Sequence, residues 1–356
     1  MDQYTEVDRK LMKRCLHLAM HGSYHVGANP LVGAVISHDD RIIGEGYHKI
    51  YGGPHAEIEA LRSVAREDRH LLKKSQLYVS LEPCNHHGKT PPCTDAIIEA
   101  GIPALTICNI DPNPRMSGIS INKLKTHGVK IRHGLLENEG KEVNKKYFVN
   151  QSQGLPFIIL KWAQSKDGFI GKKDQQVWLS NDQSKLQVHR WREEVDAIIV
   201  GTQTVIIDNP QLTNRRLHGR SPLRIILDRT GRIPKTAKVL SDAIPSIIFT
   251  TQNPYTNLIQ NKKIYTMDPA DWELHSILRI LFQHKVSSIM IEGGALLLRS
   301  FIKLNLWHEA RIIHSGISVN NGIRAPLLSG KIKEKFCLDQ DKILIINNLK
   351  MNRDNI

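Results

Sequence analysis

The sequence has little of several features that would place it in a specialised class. No apolar run reaches the ~18 residues that a membrane-spanning helix needs, and residues 1–6 are acidic and polar, unlike a secretory signal peptide. Only five of the 356 residues are cysteine, an odd number and too few for a disulfide scaffold. We therefore expect no membrane contact and a cytoplasmic location, where a close cysteine pair binds metal rather than forming a disulfide.

Aromatic residues are also scarce, at 6% of the chain, although the charge is strongly basic, with 49 Lys+Arg against 35 Asp+Glu. Residues 1–150 carry 20 basic and 17 acidic side chains (+3), whereas residues 151–356 carry 29 and 18 (+11). A basic surplus is typical of proteins that bind nucleic acid, membrane surfaces or small phosphorylated ligands. Single-stranded nucleic acid also needs aromatic stacking platforms, and no such array is present.

The length and the pattern of apolar residues predict two α/β domains, 1–150 and 151–356. The boundary coincides with the change in charge, and we expect a linker over 150–156. The predicted helices span 6–21 (with Thr5 as N-cap), 55–65, 94–100, 136–146, 182–194, 272–283 and 294–303. The predicted strands span 32–36, 42–43, 76–81, 104–108, 157–160, 197–201, 223–227, 246–250, 288–291 and 311–314.

The most informative residues are His55, Glu57, Cys84 and Cys93. Pro54-His55-Ala56-Glu57, followed downstream by two Pro-Cys pairs, is nearly the pattern of zinc-dependent deaminases. One imidazole and two thiolates suit Zn²⁺ and leave a fourth position for water, whose pKa the metal lowers. Glu57 follows the histidine by two residues on the same predicted helix, so it can move the proton of that water without being a ligand.

Eight residues separate the two cysteines, instead of the two in the general pattern, and they include two histidines. His86 and His87 are therefore rival ligands. We prefer Cys93, because Pro91-Pro92 makes the segment before it rigid and a predicted helix begins immediately after it. The upstream loop Asn29-Pro30-Leu31-Val32-Gly33 is suited to hydrogen-bond a substrate.

The second half of the chain is less informative when its residues are considered alone. It has no G-x-G-x-x-G fingerprint of the ordinary dinucleotide-binding fold. An apolar strand ends in Glu292-Gly293-Gly294 and leads into a helix. Either the backbone N–H groups at the start of this helix bind an anion, or the glycines simply form the turn between strand and helix. Arg192, Arg215 and Arg216 are either ligands for a substrate phosphate or solvated surface charges.

Three segments together resemble a known family, the bifunctional deaminase/reductases of riboflavin biosynthesis. The segments are 54–57 (PHAE), 81–93 (LEPCNHHGKTPPC) and 111–114 (DPNP). The resemblance covers essentially the whole chain and implies a cytidine-deaminase-like α/β/α N-terminal domain. It also implies a C-terminal α/β domain that is similar to dihydrofolate reductase, which agrees with the missing fingerprint.

The resemblance also implies which residues bind the ligands of the reductase domain. The residues expected to contact NADPH are Ala163, Trp178, Thr204, Asp208, Gly294, Ala295, Leu296, Leu297, Leu298, Arg299 and Ser300. The residues expected to line the substrate site are Gln176, Arg192, Leu212, Arg215 and Glu292, with the two arginines on the substrate phosphate. Lys161 is a further candidate for a polar contact.

Two positions depart from the family's usual pattern. Gln176 stands where relatives often carry serine, which puts one substrate hydrogen bond in doubt. Arg229 follows Asp228 where a small polar residue is frequent, and this change can alter the contacts with the cofactor.

The activity implied by the resemblance is a two-step conversion of a small phosphorylated pyrimidine by a homo-oligomer that binds no nucleic acid. Zinc-dependent deamination of 2,5-diamino-6-ribosylamino-4(3H)-pyrimidinone 5′-phosphate is followed by NADPH-dependent reduction of its ribosyl group to ribityl. Two alternatives compete with this interpretation. One is a nucleic-acid base deaminase with an appended binding domain, and the other is a catalytically inactive binding or regulatory module.

Overall fold

The computed structural model describes residues 3–23, 25–87, 91–114, 116–173, 175–252, 254–255 and 261–350. Gly88, Lys89 and Thr90 of the inter-cysteine motif lie outside these residues. The chain forms two compact units, residues 1–153 and 154–356. Within the described ranges, every helix is too short or too polar to cross a bilayer.

The first unit is built on a five-stranded sheet with helices packed against it. Its helices are α1 (Glu6–Met20), α2 (Ala56–Ser63), α3 (Cys93–Glu99), α4 (Ile119–Thr126), α5 (Glu137–Val143) and α6 (Lys145–Gln153), with a 3₁₀ helix at Arg66–Lys74. Its strands are β1 (Gly33–His38), β2 (Arg41–Tyr47), β3 (Gln76–Leu81), β4 (Ala104–Asn109) and β5 (Lys130–His133).

The sheet of the first unit has the order β2-β1-β3-β4-β5. Strand β1 pairs antiparallel with β2 and β3, whereas β3, β4 and β5 are parallel. The hairpin between β1 and β2 turns at Asp39 and Asp40, whose φ angles of 45° and 64° suit a tight turn. Both faces of β3 and β4 are buried, as expected for parallel strands covered by helices.

Local sequence signals account for the start of the first helix. The Thr5 side chain accepts a hydrogen bond from the Asp8 backbone, and the Asp8 side chain accepts one from the Thr5 backbone. This capping box satisfies two N–H groups that have no partner within the helix. The predicted N-cap is confirmed.

The predicted helix over 136–146 and the linker over 150–156 are both wrong in part. The helix is broken into α5 and α6, and α6 continues to Gln153. No proline or glycine interrupts residues 145–153, so nothing stops the helix until Gly154, which adopts a φ of 64°. Composition alone suggested a linker because these residues are polar.

The second unit is built on a nine-stranded sheet. Its long-sheet strands are β6 (Phe157–Gln164), β8 (Ala197–Gly201), β9 (Leu223–Leu227), β10 (Ser246–Thr250), β11 (Lys262–Thr266), β12 (Ser288–Ile291), β13 (Glu309–His314), β15 (Lys331–Leu338) and β16 (Asp341–Asn347), and β7 (Phe169–Gly171) pairs with β14 (Ile323–Arg324). Its helices are α7 (Asp182–Glu193), α8 (Thr202–Asp208), α9 (Lys238–Ser241), α10 (Leu274–Gln283) and α11 (Ala295–Lys303), with a 3₁₀ helix at Pro269–Asp271.

The order of this sheet is β11-β10-β9-β8-β12-β6-β13-β16-β15. The first seven strands of this order, from β11 through β13, are parallel to one another. Strands β16 and β15 then add an antiparallel edge. The predicted strands at 76–81, 197–201, 223–227, 246–250 and 288–291 are confirmed to the residue. In a sheet of this kind, ligands bind beyond the carboxyl ends of the parallel strands.

Candidate functional site

Three side chains that bind metals meet at one point of the first unit. His55 is the N-cap of α2, Cys84 follows β3, and Cys93 begins α3. The Nδ1 atom of His55 lies 3.4 Å from Sγ of Cys84 and 3.3 Å from Sγ of Cys93. One ligand atom from each residue lies within 4.8 Å of the others. One imidazole and two thiols at this spacing fit a tetrahedral zinc site with an open position.

The surroundings of Cys84 favour the thiolate form that a metal requires. The backbone N–H of Cys93 donates a hydrogen bond to Cys84 Sγ over 3.3 Å. Hydrogen bonds from Cys93 and His55 lower the pKa of the Cys84 thiol. The Thr94 backbone N–H also donates to the Cys84 carbonyl, which ties the start of α3 to the end of β3. This half of the site is thus held in place by the protein itself.

Glu57 lies in the first turn of α2 and is only 3% exposed. Burial raises the pKa of Glu57 to about 7, and the nearby Cys84 thiolate acts in the same direction. A carboxyl group with a pKa near neutrality can both accept and donate a proton under physiological conditions. Its position beside the ligand cluster suits the proton transfer predicted from the sequence.

The rival ligands lie outside the cluster. His86 and His87 are both exposed, and neither joins the group formed by His55, Cys84 and Cys93 among the residues that the structure describes. His86 instead contributes to the rim of the adjoining cavity.

A cavity of about 380 Å³ opens beside Glu57 and the candidate ligands. Asn29, Pro30 and Val32 of the loop singled out from the sequence line it. Asn144 holds this loop, because its side chain accepts a hydrogen bond from the Leu31 N–H and donates one to the Leu31 carbonyl, both over 2.8 Å. The predicted loop therefore forms one wall of the cavity.

His48 is a supporting residue that the sequence analysis did not identify. It is 3% exposed, and its ring lies between Asn29 Nδ2, at 3.1 Å from Nε2, and the Pro54 carbonyl, at 3.0 Å from Nδ1. Since a carbonyl only accepts, Nδ1 carries the proton and Nε2 accepts from Asn29. Burial lowers the pKa of His48, which favours this neutral form. His48 thus connects the substrate loop to the residue before His55.

Two acidic residues of the family motifs also have structural roles that the sequence did not reveal. Glu82 is buried and accepts hydrogen bonds from the backbone N–H of Asp111 and Gly118 and from the Ser120 hydroxyl. Asp111 lines the cavity, and the Tyr147 hydroxyl lies 3.0 and 3.2 Å from its two carboxylate oxygens. Glu82 therefore fixes the loop that presents Asp111 to the cavity.

The second unit has a larger cavity, of about 710 Å³, beyond the carboxyl ends of β6, β8 and β12. Most of the predicted reductase residues line it. They are Ala163, Gln176, Trp178, Arg192, Thr204, Asp208, Leu212, Arg215, Glu292 and Gly294. Segments far apart in the sequence thus meet at one site, as the resemblance implies.

The charged centre of this cavity is a buried ion cluster. Nε and Nη2 of Arg192 donate to the two carboxylate oxygens of Glu292 over 2.7 and 3.0 Å, and Nη1 donates to the Thr213 carbonyl over 3.0 Å. Lys161 Nζ lies 3.6 Å from Glu292 Oε2. Burial would raise the pKa of Glu292, but Arg192 and Lys161 lower it to about 2. Glu292 is therefore ionised and fixed in position at neutral pH.

Only some of residues 294–300, which are expected to contact NADPH, line a cavity. Gly294, Leu296, Leu297 and Ser300 line a neighbouring cavity of about 660 Å³, together with Arg229. The other three residues line neither cavity: Ala295 and Leu298 are buried, and Arg299 donates a hydrogen bond to the Arg324 carbonyl. Leu298 faces the core because α11 presents one apolar face to the sheet.

His189 is a further lining residue that no sequence signal indicated. It is 4% exposed, and its Nδ1 atom has no hydrogen-bond partner in the described part of the chain. Burial and the positive charges of Arg192, Arg215 and Arg216 lower the pKa of His189 to about 4. A neutral imidazole therefore faces a cavity that is otherwise strongly basic.

Comparison with known proteins links both sites to one family. Residues 5–109 match the cytidine and deoxycytidylate deaminase zinc-binding region, and residues 156–339 match the RibD C-terminal domain. The riboflavin biosynthesis protein RibD of Aquifex aeolicus is 37% identical over 352 residues, covering 96% of this chain and 98% of its own. That of Bacillus amyloliquefaciens is 34% identical, covering 90% and 87%.

Solved structures agree with this assignment over nearly the full length of the chain. A crystal structure from Thermotoga maritima has a TM-score of 0.86 and 34% identity, and covers 96% of this chain and 99% of its own. It is described as a diaminohydroxyphosphoribosylaminopyrimidine deaminase/5-amino-6-(5-phosphoribosylamino)uracil reductase. Acinetobacter baumannii RibD has a TM-score of 0.84, 32% identity and the same coverage. This chain, with its cytidine-deaminase-like and reductase units, belongs to the RibD family of bifunctional riboflavin biosynthesis enzymes.

Proposed function

We propose that the two cavities carry the two successive reactions of the family, deamination in residues 1–153 and reduction in residues 154–356. The observation that carries the proposal is the meeting of His55, Cys84 and Cys93 beside the buried Glu57. The proposed substrate is 2,5-diamino-6-ribosylamino-4(3H)-pyrimidinone 5′-phosphate. The names of the relatives and the fit of the donor atoms to zinc support this assignment.

His55, Cys84 and Cys93 are the residues that would hold zinc, which when bound makes a water molecule more acidic and more nucleophilic. In the deamination, the oxygen of water bonds to C2 of the pyrimidinone, the bond from C2 to the amine breaks, and ammonia leaves. Glu57 takes the proton from the water and passes it to the departing amine, since its pKa near 7 suits both steps. The loop that contains Asn29 orients the ring.

NADPH fits the second unit, because two adjoining cavities share Thr204 and Gly294 in their walls. When bound, it supplies the hydride for C1′ of the ribose. The bond from C1′ to the ring oxygen breaks, and the oxygen gains a proton. The residues of this chain orient the reactants, which accounts for much of the rate in such reactions.

The two arginines of the substrate site contribute differently to phosphate binding. Arg192 already directs three of its five N–H donors to Glu292 and Thr213. Arg215 is exposed at the cavity and has no ion-pair partner within the ranges that the structure covers. We therefore assign the substrate phosphate mainly to Arg215, with the remaining donors of Arg192 in support.

We also propose a cytoplasmic setting. All five cysteines are free, which suits the reducing cytoplasm. The expected homo-oligomer is a separate proposal, and the molar mass measured by light scattering tests it. The expected absence of nucleic acid from the partners is tested by RNA binding, in which steep salt dependence would reveal phosphate contacts.

The experiment that tests the proposed function measures the two half-reactions separately. The purified zinc-loaded protein is given the diaminopyrimidinone phosphate, and the release of ammonia and the oxidation of NADPH are recorded independently. We expect both signals, with ammonia released first. The Glu57→Gln variant should release ammonia ~10²–10⁴-fold more slowly but should still oxidise NADPH when the deaminated product is supplied. Loss of both activities in this variant would contradict the assignment of one reaction to each cavity.

A further inference from the structure

Beside the substrate cavity, the second unit has a neighbouring cavity whose wall carries two arginines. It lies beyond the carboxyl ends of β8, β9 and β12, and Thr204 and Gly294 line both spaces. Arg229 and Arg232 border the part that is contributed by the turn after β9. A ligand that starts in the substrate cavity and passes Gly294 therefore extends toward these two side chains.

The turn that carries the arginines is held firmly by Asp228, which is completely buried. The Asp228 carboxylate accepts hydrogen bonds from the Thr202 hydroxyl over 2.9 Å, from the Ile233 N–H over 2.9 Å and from the Tyr255 hydroxyl. Between them, Gly231 adopts a φ of 64°, where a Cβ atom would lie 2.3 Å from Pro254. The turn is therefore a fixed support rather than a loose surface loop.

The strand next to β9 anchors the same turn from its other side. The carbonyl of Arg229 accepts hydrogen bonds from the backbone N–H and the hydroxyl of Thr251, over 2.8 and 2.7 Å. The backbone of Arg229 is thus fixed, whereas its side chain is exposed. A fixed backbone reduces the entropy lost when the guanidinium binds a ligand.

Neither guanidinium group is neutralised by the protein. Arg229 and Arg232 are exposed, and in the described portion of the chain neither forms an ion pair or a side-chain hydrogen bond. The carboxylate that lines the same cavity is Glu273, and His275 lies next to it. The remaining lining side chains are neutral, so the cavity carries a net positive charge, and the turn presents two donors suited to a phosphate.

We propose that Arg229 and Arg232 bind the 2′-phosphate of NADPH and thereby select it over NADH. The inference rests on the proposed function, in which NADPH delivers its hydride to a substrate bound in the cavity that Glu292 lines. The adenosine half must then extend past Gly294 into the neighbouring cavity. NADPH and NADH differ only by a phosphomonoester on that half, which is the group that two unpaired guanidinium groups recognise best.

The test measures binding rather than turnover. The five tryptophans of the chain all lie in residues 154–356, and three of them, Trp162, Trp178 and Trp272, line the two cavities. Quenching of tryptophan fluorescence therefore gives the Kd of each nucleotide with the full-length protein. The titrations use NADPH, NADH, 2′,5′-ADP and 5′-ADP on the wild type and on Arg229→Ser, Arg232→Ser and the double variant. Arg279→Ser is the control, because Arg279 is exposed on α10 and lines neither cavity.

We expect each single variant to weaken the binding of NADPH and 2′,5′-ADP roughly tenfold, and the double variant about a hundredfold or more. The Kd of NADH and 5′-ADP should change less than about twofold, as should every Kd of the control. Added salt should weaken NADPH binding more than NADH binding in the wild type and in the Arg279→Ser control, and this difference should disappear in the double variant.

Two other results would overturn the inference. If the double variant kept the wild-type ratio of the Kd values for NADH and NADPH, the arginines would not read the 2′-phosphate, although the proposed reductase function would stand. If the wild type bound neither dinucleotide, both the inference and the proposed reductase function would be wrong. A thermal melt that matches the wild type shows that each variant is folded.

Discussion

His308 provides a quantitative test of the structure of the second unit. It lies between α11 and β13, is 3% exposed, and stacks on Phe157 with ring centroids 4.8 Å apart. The backbone N–H of Ile158 donates a hydrogen bond to its Nδ1 atom over 2.9 Å. Nδ1 is therefore unprotonated and the neutral ring carries its proton on Nε2. A second proton has to go to Nδ1, where it would face another donor.

The cost of that protonation follows from the pKa of the buried ring. Burial lowers the pKa of His308 from 6.5 to about 4. Below pH 6.5 the unfolded chain binds a proton at this position and the folded chain does not, so the free energy of unfolding falls as the pH falls. The difference between 6.5 and about 4, at ~1.4 kcal/mol per pKa unit, amounts to roughly 3.5 kcal/mol, of which about 3 kcal/mol is lost between pH 6.5 and pH 4.

The measurement compares the wild type with His308→Asn between pH 4 and pH 8. The Oδ1 atom of asparagine can accept the hydrogen bond of Ile158, but the side chain does not titrate. Because all five tryptophans lie in residues 154–356, urea unfolding followed by tryptophan fluorescence reports this unit alone. The variant should be less stable at pH 8, since it loses the stacking on Phe157.

The difference in unfolding free energy between the two proteins isolates His308 from the other titrating groups. It should be constant above pH 7 and should shrink by about 3 kcal/mol on acidification to pH 4. Two parallel curves over the whole range would show that His308 does not titrate as a buried neutral ring, and the assignment of its hydrogen bond would then be wrong.

Three further predictions concern the two cavities. Glu57→Gln should retain one zinc per chain by elemental analysis and lower the rate of ammonia release by ~10²–10⁴-fold; an unchanged rate would exclude Glu57 as the proton carrier. Cys93→Ser should lose most of its zinc while His86→Ala keeps it, and the opposite pattern would make His86 the third ligand. Arg192→Leu should lower the free energy of unfolding of the second unit by about 3–5 kcal/mol in urea titrations, because it leaves Glu292 buried without its main partner. Adding Glu292→Gln to this variant should restore part of the lost free energy, since the unpaired charge is then removed.

The metal cluster could be anticipated from the sequence because its ligands are tied to local signals. His55 and Cys93 each occupy the start of a helix that follows a proline, and Cys84 follows a strand whose limits the apolar pattern predicts. Short-range rules therefore place each ligand on its element. Their meeting is then required by the chemistry of zinc rather than by any long-range information in the sequence.

The supporting residues could not be anticipated, because their roles arise from contacts between distant segments. His48 is an ordinary residue after a strand until the fold brings Asn29 and the Pro54 carbonyl to its two nitrogens. The pairing of Arg192 with Glu292 joins residues 100 positions apart. No spacing rule applies at such distances, and only the order of the parallel strands brings these residues together.

The basic surplus of the second unit combines charges with different roles, which is why charge alone could not identify the ligand. Arg224 is completely buried, and its guanidinium donates to the Asp242 carboxylate and the Ser246 hydroxyl, so it stabilises the fold. Arg192 is balanced mainly by Glu292. Arg215 and Arg229 border cavities without a carboxylate partner in the regions that the structure describes. If anionic ligands account for the surplus, charge reversal at Arg215 should weaken the binding of the phosphorylated substrate and leave the Kd of NADPH unchanged. Charge reversal at Arg229 should weaken the binding of NADPH and leave the Kd of the substrate unchanged.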